Sequence, residues 1–149
     1  MSKFDQLSRR QFIGKSAVAG AAVPLYVSAS ALGQPGKPGA NDRIQVGLIG
    51  AGGMGRANLK NCAKYDDVVV THICDVWKER REAAAAEHAG KPQTHNDYRD
   101  LLQQKDVDAV IIASPPHWHA MMAIDACEAG KDIYLQKPMT LHYAESLAV

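Results

Sequence analysis

The feature that most constrains this chain is a short apolar run that ends abruptly on glycines. Ile44 to Gly55 reads Ile-Gln-Val-Gly-Leu-Ile-Gly-Ala-Gly-Gly-Met-Gly, with Val46, Leu48 and Ile49 apolar and Gly50, Gly52 and Gly55 at G-x-G-x-x-G spacing. A segment of this kind reads as a buried strand, a tight turn and the first turn of a helix. Gly50 permits the turn, Gly52 lets a pyrophosphate come close to the backbone, and Gly55 lets helix and strand pack tightly. The free N–H groups and positive dipole end of the helix then suit phosphate. Small-residue turns are common, so the motif draws its weight from the pattern of the chain beyond it.

That pattern is an alternation. Met54 to Lys64 predicts a helix with Leu59, Cys62 and Ala63 on one face, and Asp66 and Asp67 make a turn. Val68 to Cys74 is β-branched and mostly apolar, as expected of a strand covered on both sides. A helix from about Trp77 to Ala89 is closed by Gly90 with Pro92 beyond, and a weak strand is expected over Gln93 to His95. Tyr98, Leu101 and Leu102 share one face of a short helix. Val107 to Ala113 is the clearest strand, broken at Ser114-Pro115-Pro116. From His117 a helix carries the stripe Ala120, Ala123, Ile124 and Cys127, and Gly130 ends it. Asp132 to Leu135 is a last strand, and Thr140 is placed to cap a further helix. Strands alternating with helices, joined by right-handed crossovers, give an α/β fold: a doubly wound parallel sheet with helices on both faces.

In such a sheet ligands bind outside the carboxyl ends of the strands. The polar departures from the apolar strands fall there: the glycine turn, Asp75, Ser114-Pro115-Pro116-His117-Trp118-His119 and Gln136-Lys137-Pro138. Asp75 lies 25 residues after Gly50, where an acid accepts hydrogen bonds from an adenosine ribose and repels a 2′-phosphate. That favours NAD, while Lys78, Arg80 and Arg81 keep NADP open; an Asp there also caps helices. His117 and His119 are two apart and diverge on a helix, so no metal site is expected. Trp118 reads as a packing residue. The three cysteines, Cys62, Cys74 and Cys127, lack C-x-x-C spacing and read as small buried side chains.

The formal charge of +1 conceals an asymmetry. Lys3, Arg9, Arg10 and Lys15 against Asp5 give residues 1–31 a net +3, so the remainder is slightly acidic and no nucleic-acid partner is expected. The leader runs Arg9-Arg10-Gln11-Phe12-Ile13-Gly14-Lys15, then a mildly apolar stretch from Ala17 to Val27, then Ala29-Ser30-Ala31. A basic region, a short apolar region and small residues at a cleavage site define an export signal. The arginine pair resembles the twin-arginine (Tat) class, which implies the Tat export machinery as a partner and a periplasmic or otherwise exported location. The apolar stretch is too short for a membrane anchor and is broken by Pro24. Residues 32–43, rich in Gly and Pro, read as a flexible linker, with the domain proper at residues 44–149.

The succession G-A-G-G-M-G, C-D-V, Y-R-D-L-L, D-V-D-A-V-I-I-A-S-P-P-H-W-H-A and A-G-K-D-I-Y-L-Q-K-P resembles the amino-terminal, Rossmann NAD(P)-binding half of the Gfo/Idh/MocA oxidoreductases. The resemblance covers residues 44–149 and implies several roles. Gly50, Ala51, Gly52, Gly53 and Met54 would contact the pyrophosphate and Asp75 the ribose. Ser114, Pro115 and His117 would line the path toward the nicotinamide, and Gln136, Lys137 and Pro138 would complete the cofactor site. Lys137, in the place of the family's Glu-Lys-Pro lysine, would be the catalytic residue, orienting a substrate hydroxyl and assisting its proton transfer. Gln136 departs from the usual glutamate, which removes a charge partner beside Lys137. His119 matches a histidine frequent in the family and would be a supporting group.

The resemblance also implies a second, largely antiparallel domain that supplies most of a sugar or polyol pocket, further catalytic groups and an oligomer interface. This chain is expected to lack that domain, to hold a cofactor half-site and to be inactive by itself. Some proteins resembling this family are glycosidases that use NAD transiently, and a non-catalytic binding module is the remaining alternative.

Overall fold

The computed structural model describes residue 33 and residues 38–149. The twin-arginine leader and most of the linker lie outside the described residues. Within the linker stretch, Ala40–Asp42 form a 3-10 turn in which Asp42 accepts the Gly39 N–H at 3.2 Å.

Five strands, β1 (Ile44–Ile49), β2 (Val68–Cys74), β3 (Gln93–His95), β4 (Ala109–Ile112) and β5 (Asp132–Leu135), form one sheet in the order β3-β2-β1-β4-β5. Every pairing is parallel. The helices between them are α1 (Gly53–Cys62), α2 (Lys78–Ala86), α3 (Tyr98–Leu102) and α4 (Pro116–Glu128), with a short α5 (Tyr143–Ser146) after β5. The expected doubly wound α/β sheet is therefore the observed one. Chain order reverses at β1, between β2 and β4, and it is at such a switch point that a crevice opens beyond the strand ends.

Alternation along β1 and β4 divides the core between two layers, and an irregularity at Thr71 in the β1–β2 pairing puts Val70 and Ile73 of β2 in the same one. Leu48 and Ile111 join Val46, Leu59, Val70, Ile73 and Ala84 on the α1–α2 side. Ile49, Val110 and Ile112 join Cys74, Tyr98, Leu101, Leu102, Ala123 and Ala126 on the α3–α4 side. Each fully buried Leu or Ile removes enough apolar surface from water to stabilise the fold by about 1.5–3 kcal/mol. Gly47 has a packing role: a Cβ there would meet the Leu101 side chain at 2.9 Å. His72 is tolerated inside β2 because its ring is satisfied, Nδ1 against His95 Nε2 at 2.8 Å and Nε2 against the Asp106 carboxylate at 3.2 Å.

Several local expectations are corrected. Helix α1 ends at Cys62, so Ala63 is its exposed C-cap and the buried pair is Gly55 and Leu59. Helix α2 ends at Ala86, and the left-handed residue beyond it is Lys91 (φ 47°) rather than Gly90. In α4 the buried stripe is His119, Ala123 and Ala126, rotated from the expected one, and this leaves Cys127 exposed. The rotation goes with where the helix begins: Pro116 takes its first position, and His119 turns inward between two loop carbonyls. Thr140 bonds the His142 carbonyl and Ser146 hydroxyl, while His142 itself takes the N-cap position of α5.

Candidate functional site

Because all five strands run the same way, their carboxyl ends share one rim. A cleft of about 620 Å³ opens there, lined on one side by Ile49, Gly50, Gly52, Cys74 and Asp75 and on the other by Ser114, Pro115 and Trp118. That volume lies within the ordinary range for a cofactor-sized ligand.

The glycine turn is held by contacts that exclude a side chain. Gly50 has φ +93°, and a Cβ on it would stand 2.7 Å from the Ala113 carbonyl oxygen. A Cβ on Gly55 would fall 2.0 Å from the Gly50 carbonyl oxygen, so α1 can begin where it does only with glycine there. Gly52 and Gly53 are different, since nothing lies within 4 Å of a Cβ at either. Their backbone faces open space at the N-terminus of α1, whose first turn carries no acidic residue. Unpaired N–H groups, the helix dipole and empty volume together suit an anionic diphosphate.

Asp75 leaves β2 beside this turn. Its carboxylate accepts the Ala51 N–H at 2.8 Å on one oxygen and the Trp77 N–H at 2.8 Å on the other. It therefore braces the glycine turn and starts the turn into α2, and each oxygen keeps a second lone pair for a ligand hydroxyl. Of the cations nearby, Arg81 donates to the Asp75 carbonyl at 3.1 Å and to Asn96 at 3.3 Å. Arg80 lines the cleft with its guanidinium 4.4 Å from the Trp77 ring centre. The neighbouring Cys74 thiol is pushed up to about 12, first by burial and then by the Asp75 charge, so it presents a neutral wall.

Across the cleft, the Ser114 hydroxyl is buried without a hydrogen-bond partner, which leaves a polar atom for a ligand to satisfy. Trp118, expected to pack inside, is part-exposed and lines the cleft instead. His117 is exposed in the first turn of α4, outside the cleft lining. Gly53 and Met54 are likewise exposed at the start of α1. Gln136, Lys137 and Pro138 come after β5 on the same rim, and the Gln136 N–H bonds the Ile112 carbonyl at 2.9 Å. Lys137 is exposed, its peptide bond to Pro138 is cis, and the Gln136 side chain accepts its backbone N–H at 2.7 Å. Gln136 thus holds the main chain of residue 137 rather than the amine. His119 joins the two loops on this side: one ring nitrogen is 2.8 Å from the Ser114 carbonyl and the other 2.7 Å from that of Pro138.

Asn96 and Asp97 in the loop after β3, with Tyr98 and Arg99 at the start of α3, also line the cleft, a place the sequence did not assign them. The signals for them in the sequence are their position after a weak strand and, for Tyr98 and Arg99, the motif Y-R-D-L-L. Among the described residues, no group of three or more His, Cys, Asp or Glu is placed to hold a metal ion, and no helix is long and apolar enough to cross a membrane.

Comparison with known proteins agrees with this geometry. A glycosyl hydrolase family 109 protein from Shewanella pealeana is 32% identical over 91% of this chain and 34% of its own length. An NAD-binding protein from Listeria innocua superposes with a TM-score of 0.65 at 35% identity, covering 71% of this chain and 31% of the other. The Lactobacillus casei myo-inositol dehydrogenase, solved with NAD(H) and myo-inositol, gives a TM-score of 0.67 at 28% identity over 70% of this chain and 31% of that one. The chain thus spans about a third of the length of these relatives. Residues 44–149 match the model of the oxidoreductase family with an NAD-binding Rossmann fold, and the chain belongs to that family, Gfo/Idh/MocA.

Proposed function

We propose that this chain is the nucleotide-binding portion of an exported oxidoreductase that takes hydride from a sugar or polyol carbon, with NAD preferred to NADP. The observation that carries the reading is the open backbone of Gly52 and Gly53 at the start of α1, with Asp75 and the unpartnered Ser114 hydroxyl in the same cleft. The glycine turn, with Ala51 and Met54, would hold the diphosphate, and the free lone pairs of Asp75 would accept ribose hydroxyls. Ser114, Pro115 and His117 would border the nicotinamide end, with Gln136 and Pro138 framing Lys137. A nicotinamide ring supplies hydride acceptance when bound. Lys137 would orient the hydroxyl that loses its proton in the same step.

Calorimetry of the 149-residue chain tests the cofactor part, titrating NAD and NADP separately. NAD should bind at least about tenfold tighter, because a 2′-phosphate would sit against the Asp75 charge. No heat from either nucleotide would end the reading, and a preference for NADP would move the specificity to Arg80. For export, replacing Arg9 and Arg10 by lysine should retain the protein inside a Tat-competent host.

A second reading, a glycosidase that oxidises its sugar and then reduces it again, is favoured by one observation. The glycosyl hydrolase family 109 relative matches over 91% of the chain, which extends well upstream of Ile44. Release of sugar by the whole protein without accumulation of NADH would select it over the dehydrogenase.

A further inference from the structure

His119 is buried to 1% exposure, yet both of its ring nitrogens face carbonyl oxygens. One is Ser114 O at 2.8 Å from Nε2, on the turn after β4; the other is Pro138 O at 2.7 Å from Nδ1, on the turn after β5. A carbonyl oxygen can only accept. A neutral imidazole has one N–H and so serves one of them, leaving a lone pair pointed at the other. Both contacts are hydrogen bonds only when both ring nitrogens carry hydrogen.

We propose that His119 is a positioning residue: as a two-sided donor it ties the Ser114 turn to the Lys137-Pro138 turn. In this way it sets Lys137 against the nicotinamide end of the bound dinucleotide. The inference rests on the cofactor reading above. Among the described residues no other hydrogen bond joins one turn directly to the other; Gln136 is bonded to β4, before Ser114. The ring therefore fixes the relation between the part of the cleft that receives the cofactor and the lysine that would act on substrate. Site geometry is lost when such a supporting contact is left loose by about 1 Å.

Two side chains divide the ring's function. The amide nitrogen of Asn at 119 falls near the position of Nδ1 and can keep the Pro138 contact. That of Gln falls near Nε2 and can keep the Ser114 contact. The test uses the 149-residue chain labelled with ¹⁵N. In the wild type, both ring nitrogens of His119 should resonate as protonated N–H. One protonated and one pyridine-type nitrogen would overturn the two-sided donor, whatever the variants do.

Backbone spectra are then recorded with NAD and with ADP-ribose, which lacks the nicotinamide. The Lys137 and Met139 amides should shift with NAD and not with ADP-ribose. That NAD-specific shift should fall at least about twofold in both His119→Gln and His119→Asn, because each keeps one contact and loses the tie between the turns. ADP-ribose affinity should stay the same in both variants. Equal NAD-specific shifts in all three proteins would overturn the positioning role. Absence of NAD binding by the wild type would instead overturn the cofactor reading, and the ring spectrum would still decide the donor state.

Discussion

The turn after β1 and the turn after β5 leave the same rim of the sheet and are held in opposite ways. The first is fixed by backbone at van der Waals distance: Gly50 against Ala113, Gly55 against Gly50, and one carboxylate, Asp75, accepting the Ala51 N–H. The second rests on single side chains, with His119 beneath the Pro138 carbonyl and Gln136 on the Lys137 N–H. A diphosphate needs an invariant cradle of N–H groups, and close-packed backbone supplies one that no rotamer change can spoil. The lysine proposed to meet substrate is held by side chains instead, so one substitution can displace it while the backbone cradle stays in place.

If this contrast holds, the largest effect belongs to Gly55→Ala. The added Cβ would lie 2.0 Å from backbone, so α1 must move, and chemical denaturation should show a loss of about 3 kcal/mol or more. Gly52→Ala sharpens the same point by its opposite behaviour. No atom lies within 4 Å of the new Cβ, and the Gly52 backbone (φ −71°) suits alanine, so the melting temperature should hold or rise. NAD binding by calorimetry should nevertheless weaken at least about tenfold, because the methyl occupies the diphosphate's space. A fall in stability with unchanged affinity would show that the cradle is packing alone.

Tyr98→Phe probes the packing of α3 on α4 beside the cleft, since the Tyr98 hydroxyl on α3 donates to Asp125 on α4. Losing a hydrogen bond to a charged group should cost about 1.5–3 kcal/mol in urea titration. Burial, then the bond to Asp125, pushes the Tyr98 hydroxyl up to about 12 from its ordinary 10. The raised group stabilises the fold below pH 10 and ceases to do so as the pH rises through 12. Wild type should therefore lose more stability than the phenylalanine variant across that interval. The smallest effect on the fold should be that of Lys137→Ala. An exposed side chain with no buried partner should change stability by no more than about 0.5 kcal/mol, while turnover by the whole protein should fall.

The half of the site built from backbone is legible in the residues. Glycine spacing at 50, 52 and 55 names a turn that side chains cannot make, and an acid after a β-branched strand names a rim position. The half built from side chains is less so. His119 can be matched to a supporting role, but nothing in Ser114-Pro115-Pro116-His117-Trp118-His119 says which two carbonyls it serves. Trp118 reads as packing because aromatic residues usually are, and the rotation of α4 places it on the cleft instead.

The alternation of apolar runs and helical stripes determined the strands, their parallel sense and the rim where their polar ends gather, because these come from local periodicity and the handedness of crossovers. Tertiary structure alone decided the strand order, the facing of α4 and the company of each rim residue. Those depend on which elements meet across the sheet, at separations in sequence that no local pattern encodes. Asp75 and Ala51 come together from positions 24 apart, and His119 and Pro138 from positions 19 apart. Whether a carboxylate braces a turn or a ring bridges two loops is settled only when packing has brought donor and acceptor within about 3 Å of each other.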